Sequence, residues 1–182
     1  VPEELRQVVQ AELFRDMGRL EDAEPMYQRA LAIDMAALGP NHPNVATYLN
    51  NLAGLYKARE MWDKAAEHYT RAIAIDERAL GPDHPDVAIY LNNLAGLYKA
   101  REMWDKAAEH YTRAIAIDER ALGPYHPDVA IYLNNLAGLY KAQGKLREAE
   151  PLYLRALRRN EEALGGDPGD MAIYFNSGAG LY

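Results

Sequence analysis

Apolar residues recur along the chain in two alternating helical patterns. Val45, Leu49, Leu52, Ala53 and Tyr56 fall at helical spacing, which gathers them on about a third of a helix surface. A second stretch places Trp62, Ala65, Tyr69, Ala72, Ile73 and Leu80 on one face, with Asp63, Lys64, Glu67, Arg71 and Arg78 elsewhere. These are designated helix A and helix B. The Gly-Pro-x-His-Pro segment that follows helix B stops it, because glycine suits a C-terminal cap. Pro43, Pro85 and Pro127 then suit the first turn of the next helix A. The pattern predicts a helical hairpin, and neither helix buries its stripe alone, so successive hairpins must stack around one continuous core.

The pattern is periodic. Leu49 to Tyr90 returns as Leu91 to Tyr132 with one change, Asp83 to Tyr125, so the period is 42 residues. The same frame carries Gly39-Pro40, Gly81-Pro82, Gly123-Pro124 and a degenerate Gly165-Gly166, together with Tyr27, Tyr69, Tyr111 and Tyr153. It predicts a single all-α solenoid over 1–182, with units at 1–38, 39–80, 81–122 and 123–164 and a partial unit or capping helix at 165–182.

Composition narrows the function classes. With 49% hydrophobic and 26% charged residues the chain can bury a core, which argues against disorder. A net charge of −7 leaves no clustered basic surface for phosphates, so nucleic acid is not an expected partner. The absence of cysteine excludes disulfides, thiolate metal sites and cysteine nucleophiles. No run approaches the roughly 18 apolar residues of a membrane span, and Val1 to Glu12 lacks a cationic start and apolar stretch. The expectation is a soluble, cytoplasmic chain.

The repeated positions resemble the tetratricopeptide repeat family. Leu49, Leu52, Ala53 and Tyr56, then Trp62, Ala65, Tyr69, Ala72 and Ile73, match its succession of large, small and aromatic positions. Leu91 to Ala95, Leu97-Tyr98 and the linker Gly81 to Ala88 are similar to the longer-period version found in kinesin light chains and many bacterial repeat proteins. The usual period is about 34 residues, so each unit here gains about two helical turns. The resemblance implies a right-handed superhelix whose A helices line a concave surface that takes extended peptides. Glu60 and Glu102 replace the glycine usual between the helices, which Gly18 and Gly144 keep, and this leaves the tightness of those turns open.

Opposite the buried stripe of helix A, helical geometry places Thr47, Asn51, Gly54 and Ala58, then Ile89, Asn93, Gly96 and Ala100, then Ile131, Asn135, Gly138 and Ala142. Asn50, Asn92 and Asn134 stand beside this line, and Lys57, Lys99 and Lys141 flank it. Side-chain amides offer donors and an acceptor to a peptide backbone, and glycine lets that backbone approach. The expected ligand is a protein or peptide segment with acidic and apolar residues. The competing reading is that the asparagines only fix the register between units.

No enzyme, cofactor or metal is expected. Asp76-Glu77 and Asp118-Glu119 read as helix-surface charge that recurs with the repeat, and neither a Gly-rich phosphate loop nor a His-Glu-x-x-His spacing is present. His42, His84 and His126 recur once per unit, too far apart to share an ion, and are expected to act locally at the start of helix A. His68 and His110 read as part of a solvated face, and Tyr125 as drift.

The ends differ from the middle. Gln7 and Gln10 stand where later units have Leu49 and Leu52, which predicts a polar, wetted N-terminal cap. The chain stops at the frame position of Tyr56, leaving Phe175, Ala179 and Tyr182 on a helix A without its helix B. These three are the candidates for end-to-end contact, which would be heterologous. The two function classes are thus a protein-interaction scaffold and, as the alternative, a module that self-assembles through its ends into homo-oligomers.

Overall fold

The structure, a computed structural model, describes residues 2–163. Its eight helices are α1 (Glu3–Asp16), α2 (Leu20–Leu38), α3 (Pro43–Ala58), α4 (Trp62–Ala79), α5 (Pro85–Ala100), α6 (Trp104–Ala121), α7 (Pro127–Ala142) and α8 (Leu146–Ala163), with no strand among the described residues. The odd-numbered helices are A helices and the even-numbered ones B helices. Each helix packs most extensively on its hairpin partner, next on the helix that adjoins it in the neighbouring hairpin, and more lightly across to the next A helix. Contacts therefore run only between neighbours in sequence, the hallmark of a quasi-one-dimensional stack.

The linker chemistry starts each inner A helix. The Nδ1 atoms of His42, His84 and His126 accept hydrogen bonds from the backbone N–H of Asn44, Asp86 and Asp128 at 3.2, 3.2 and 3.3 Å. Each imidazole thus satisfies one of the free donors at a helix N-terminus, with proline at the next position where no donor is needed.

The turns from A to B are equally tight in all four hairpins. Glu60 and Glu102 adopt φ of 57° and 56°, close to the 72° and 73° of Gly18 and Gly144. Met61 N–H donates to the Tyr56 carbonyl at 2.8 Å and Glu60 N–H to that of Lys57 at 3.0 Å, the same pair of bonds that Arg19 and Gly18 make to Phe14 and Arg15. Glutamate in this left-handed conformation costs roughly 1–2 kcal/mol relative to glycine, which the packed hairpin absorbs.

Val45, Leu49, Leu52, Ala53 and Tyr56 are buried as the pattern requires, as are Ala65, Tyr69, Ala72 and Ile73. Three assignments change. Leu80 is exposed, because it lies past the end of α4. Asp76 and Asp118 are fully buried rather than surface charge, since the neighbouring hairpin covers that side of helix B. The N-terminal face is mixed rather than polar: Gln10 is exposed but Gln7 is buried, while Leu5, Val9, Leu13 and Met17 are 48–67% exposed. Leu13 holds the frame position of Leu55, Leu97 and Leu139, which are all buried where a hairpin precedes them.

Candidate functional site: the helix A face

Successive A helices bring the candidate residues into one line. Lys57, in the last turn of α3, extends to the neighbouring hairpin, where its Nζ lies 2.9 Å from where a Cβ on Gly96 would stand. Lys99 repeats this over Gly138 at 3.2 Å. Glycine leaves room for this seat, and a side chain there would displace the flexible end of the lysine. The phenol oxygens of Tyr111 and Tyr153 arrive at the same two glycines, 3.5 and 3.8 Å from the virtual Cβ, and that of Tyr69 at Gly54 at 3.7 Å. Each of the last two seats therefore combines an ammonium from one unit with a hydroxyl from helix B of the next.

The electrostatics of the seats are unbalanced. Burial lowers the Lys57 ammonium below the usual lysine range, and repulsion from Lys99 adds to it; burial lowers Lys99 as well. Among the described residues neither ammonium has a carboxylate within ion-pair distance. Burial raises the Tyr69 and Tyr111 hydroxyls to about 12 and also raises Tyr153, so all three remain donors at neutral pH. The sequence pattern had placed these tyrosines only in the core. The sign that marks them is the glycine fifteen positions earlier, at Gly54, Gly96 and Gly138.

The asparagines do not stand free. Asn93 Nδ2 donates to Asn50 Oδ1 at 2.9 Å, and Asn135 Nδ2 to Asn92 Oδ1 at 2.8 Å. Both bonds tie one A helix to the next, so the ladder sets register between units, and its half-buried amides retain only part of their bonding capacity for a ligand. Thr47 is exposed and its hydroxyl lies 3.3 Å from that of Tyr90. Ile89 and Ile131, which replace it in later units, are 38% and 51% exposed and supply apolar contact on the same line. Lys141 is half-buried, and Asn134 likewise. Phe175, Ala179 and Tyr182 lie outside the described residues.

Elsewhere several charges are paired between units. Along the B helices Arg113 pairs with Glu77 at 2.6 Å and Arg155 with Glu119, while Arg120 reaches Asp83 at 2.8 Å. His68 and His110 are half-buried, not solvated: their rings pack edge-on against Tyr56 and Tyr98 at 5.1 and 5.3 Å. Among the described residues no cluster of three metal-ligating side chains occurs, and no helix is long and apolar enough to cross a membrane.

The family model described as Tetratricopeptide repeat matches three overlapping segments, 7–78, 59–120 and 91–162. No curated protein matches the chain. Among solved structures, BtubC (BKLC) from P. vanneervenii is similar over 89% of this chain, with 30% identity and a TM-score of 0.79; the chain spans 65% of its length. A putative kinesin light chain of nearly identical TPR-like repeats from Podosopora anserina is similar over all of this chain and 90% of its own, at 24% identity and a TM-score of 0.78. MamA is similar over 89% of this chain and 81% of its own, at 18% identity and a TM-score of 0.64.

Proposed function

Because the chain belongs to the tetratricopeptide repeat family, whose repeats generally mediate protein–protein interactions, we propose that it is a scaffold that binds an extended acidic and apolar segment of a partner along the helix A face. The observation that carries this reading is the pair of half-buried ammoniums, Lys57 and Lys99, each without a counter-ion among the described residues and each beside a tyrosine hydroxyl. A buried charge without a partner is unfavourable, and an incoming carboxylate relieves it while accepting a charge-assisted hydrogen bond. Ile89 and Ile131 supply apolar contact beside the seats.

The magnitudes set the affinity. Two hydrogen bonds to charged groups at roughly 1.5–3 kcal/mol each and two covered isoleucines at roughly 1.5–3 each are opposed by about 4–15 kcal/mol of association cost. A single peptide is thus expected to bind at micromolar dissociation constants or weaker, with tighter binding only through avidity. The test is selection from a random peptide library on the full chain. Enrichment of Asp and Glu, lost when Lys57 and Lys99 are both changed to alanine, is the expected outcome; enrichment that ignores the double change removes the seats from the account.

A second reading is end-to-end self-association, in which Leu5, Val9, Leu13 and Met17 on α1 would be the apolar residues to test at the first described hairpin. Absolute mass measured over a hundredfold concentration range separates the two. A rise abolished by Leu13→Lys supports assembly, and a constant mass near 20.4 kDa leaves the scaffold reading alone.

A further inference from the structure

Asp34, Asp76 and Asp118 share one frame position in successive B helices, beside the start of the next helix A. All three are buried, with 4%, 0% and 0% exposure. An ionised carboxylate in such a place requires donors. The first junction provides one, since Asn44 near the start of α3 donates its Nδ2 to Asp34 Oδ2 at 3.0 Å. At the two inner junctions the frame position of Asn44 is held by Asp86 and Asp128, which carry no amide. Neither carboxylate oxygen of Asp76 or Asp118 makes a hydrogen bond of ordinary geometry, and the hydroxyls of Tyr90 and Tyr132 are the donors that bear on them more weakly. The sequence returns to one amide at the fourth frame position, with the types exchanged, as Asn160 and Asp170.

A protonated carboxyl offers one donor and one acceptor, much as an amide does, and a buried carboxylate with a second carboxylate near its rim cannot ionise cheaply; the Asp86 and Asp128 side chains are 47% and 37% exposed. We propose that the two inner junctions are proton-dependent clamps, in which the buried carboxyls of Asp76 and Asp118 each hold a proton when the hairpins are docked, with Asp86 and Asp128 standing where Asn44 serves the first junction.

The surroundings determine where that proton is lost. At Asp76, burial acts first and Asp86 second, both favouring the neutral form, while Tyr90 and the rings of His84 and His42 act in the opposite direction; the balance is about 6. At Asp118, burial and Asp128 are opposed by His126 and Tyr132, Asp86 adds a smaller push, and the balance is again about 6. The ordinary aspartate value is 3.8, so the docked state holds each proton on the order of a hundredfold more tightly than the unfolded chain. The sign follows from that rise: the stabilisation is complete below about 4 and is lost as pH climbs through 6. The histidine caps act separately, because His84 and His126 must keep Nδ1 unprotonated to accept from Asp86 and Asp128, and each ring also lies 3.7 or 3.6 Å from the carboxylate of that residue.

Two measurements on the full chain test the clamp. Carbon-detected NMR titration of the Asp76 and Asp118 carboxyls is expected to give midpoints near 6, and midpoints at or below about 4.5 would overturn the proposal. The double change Asp86→Asn, Asp128→Asn reproduces the Asn44–Asp34 arrangement while retaining every histidine. It is expected to raise the melting temperature at pH 7.5 by several degrees and to remove at least half of the wild type's gain on acidification to pH 5. An unchanged pH profile would assign the acid response to the histidines and overturn the clamp.

Discussion

The two sides of this solenoid handle charge differently. On the helix B side Arg113 finds its counter-ion in Glu77 and Arg155 in Glu119, each in the preceding unit, so that stacking neutralises part of the surface. On the helix A side Lys57 and Lys99 reach across to the next unit, but they arrive at a glycine and a tyrosine hydroxyl and find no carboxylate among the described residues. These paired helix B arginines thus close contacts between units, and the helix A lysines leave theirs open. The first arrangement needs nothing from outside. The second gains from an anionic ligand, which is why the proposed binding face is this one and not the more highly charged one.

That contrast is open to direct attack. The largest effect is expected from Lys57→Glu with Lys99→Glu, which places acidic groups in both seats and should weaken a selected acidic peptide by on the order of a hundredfold, or about 2.7 kcal/mol, in a fluorescence anisotropy titration. Lys57→Met should divide the two properties. It removes a half-buried ammonium that has no partner, so stability in urea is expected to rise by about 0.5–1 kcal/mol while peptide affinity falls about tenfold. Asn93→Ala is expected to cost about 1 kcal/mol of stability, through the lost bond to Asn50, and to weaken the peptide less than either lysine change while the chain remains folded. Glu77→Ala is the smallest: it breaks an exposed ion pair and should alter stability by less than about 0.5 kcal/mol and peptide affinity not at all. A helix B change that matched a helix A change in its effect on binding would dissolve the distinction.

Much of the fold was legible because the repeat states each rule several times. The apolar stripes, the histidine and proline start of helix A and the stacking follow from periodicity and helix-end chemistry, and the three histidine caps stand where local chemistry places them. What stayed hidden depends on how one unit sits against the next. Asp76 follows Ile75 and precedes Glu77 on a strongly charged helix, and only the docked α5 shows that it is enclosed. The asparagine bonds join Asn50 to Asn93 and Asn92 to Asn135, an offset of 43 against a period of 42, which a single helical wheel cannot supply. Likewise the sequence placed Lys57 at the flank of the A face, whereas its seat on Gly96 belongs to another unit. The α1 face was misjudged for a related reason. Gln7 and Gln10 were weighed against Leu49 and Leu52, but Leu5, Val9, Leu13 and Met17 form the outward stripe.

The most direct measurement is a two-dimensional amide NMR titration of the full chain with the acidic peptide selected from the library. The account predicts that the largest shifts fall on Gly96, Gly138, Lys57 and Lys99, with Arg113 and Arg155 unmoved. Shifts concentrated on the helix B arginines, or confined to the α1 stripe, would contradict it.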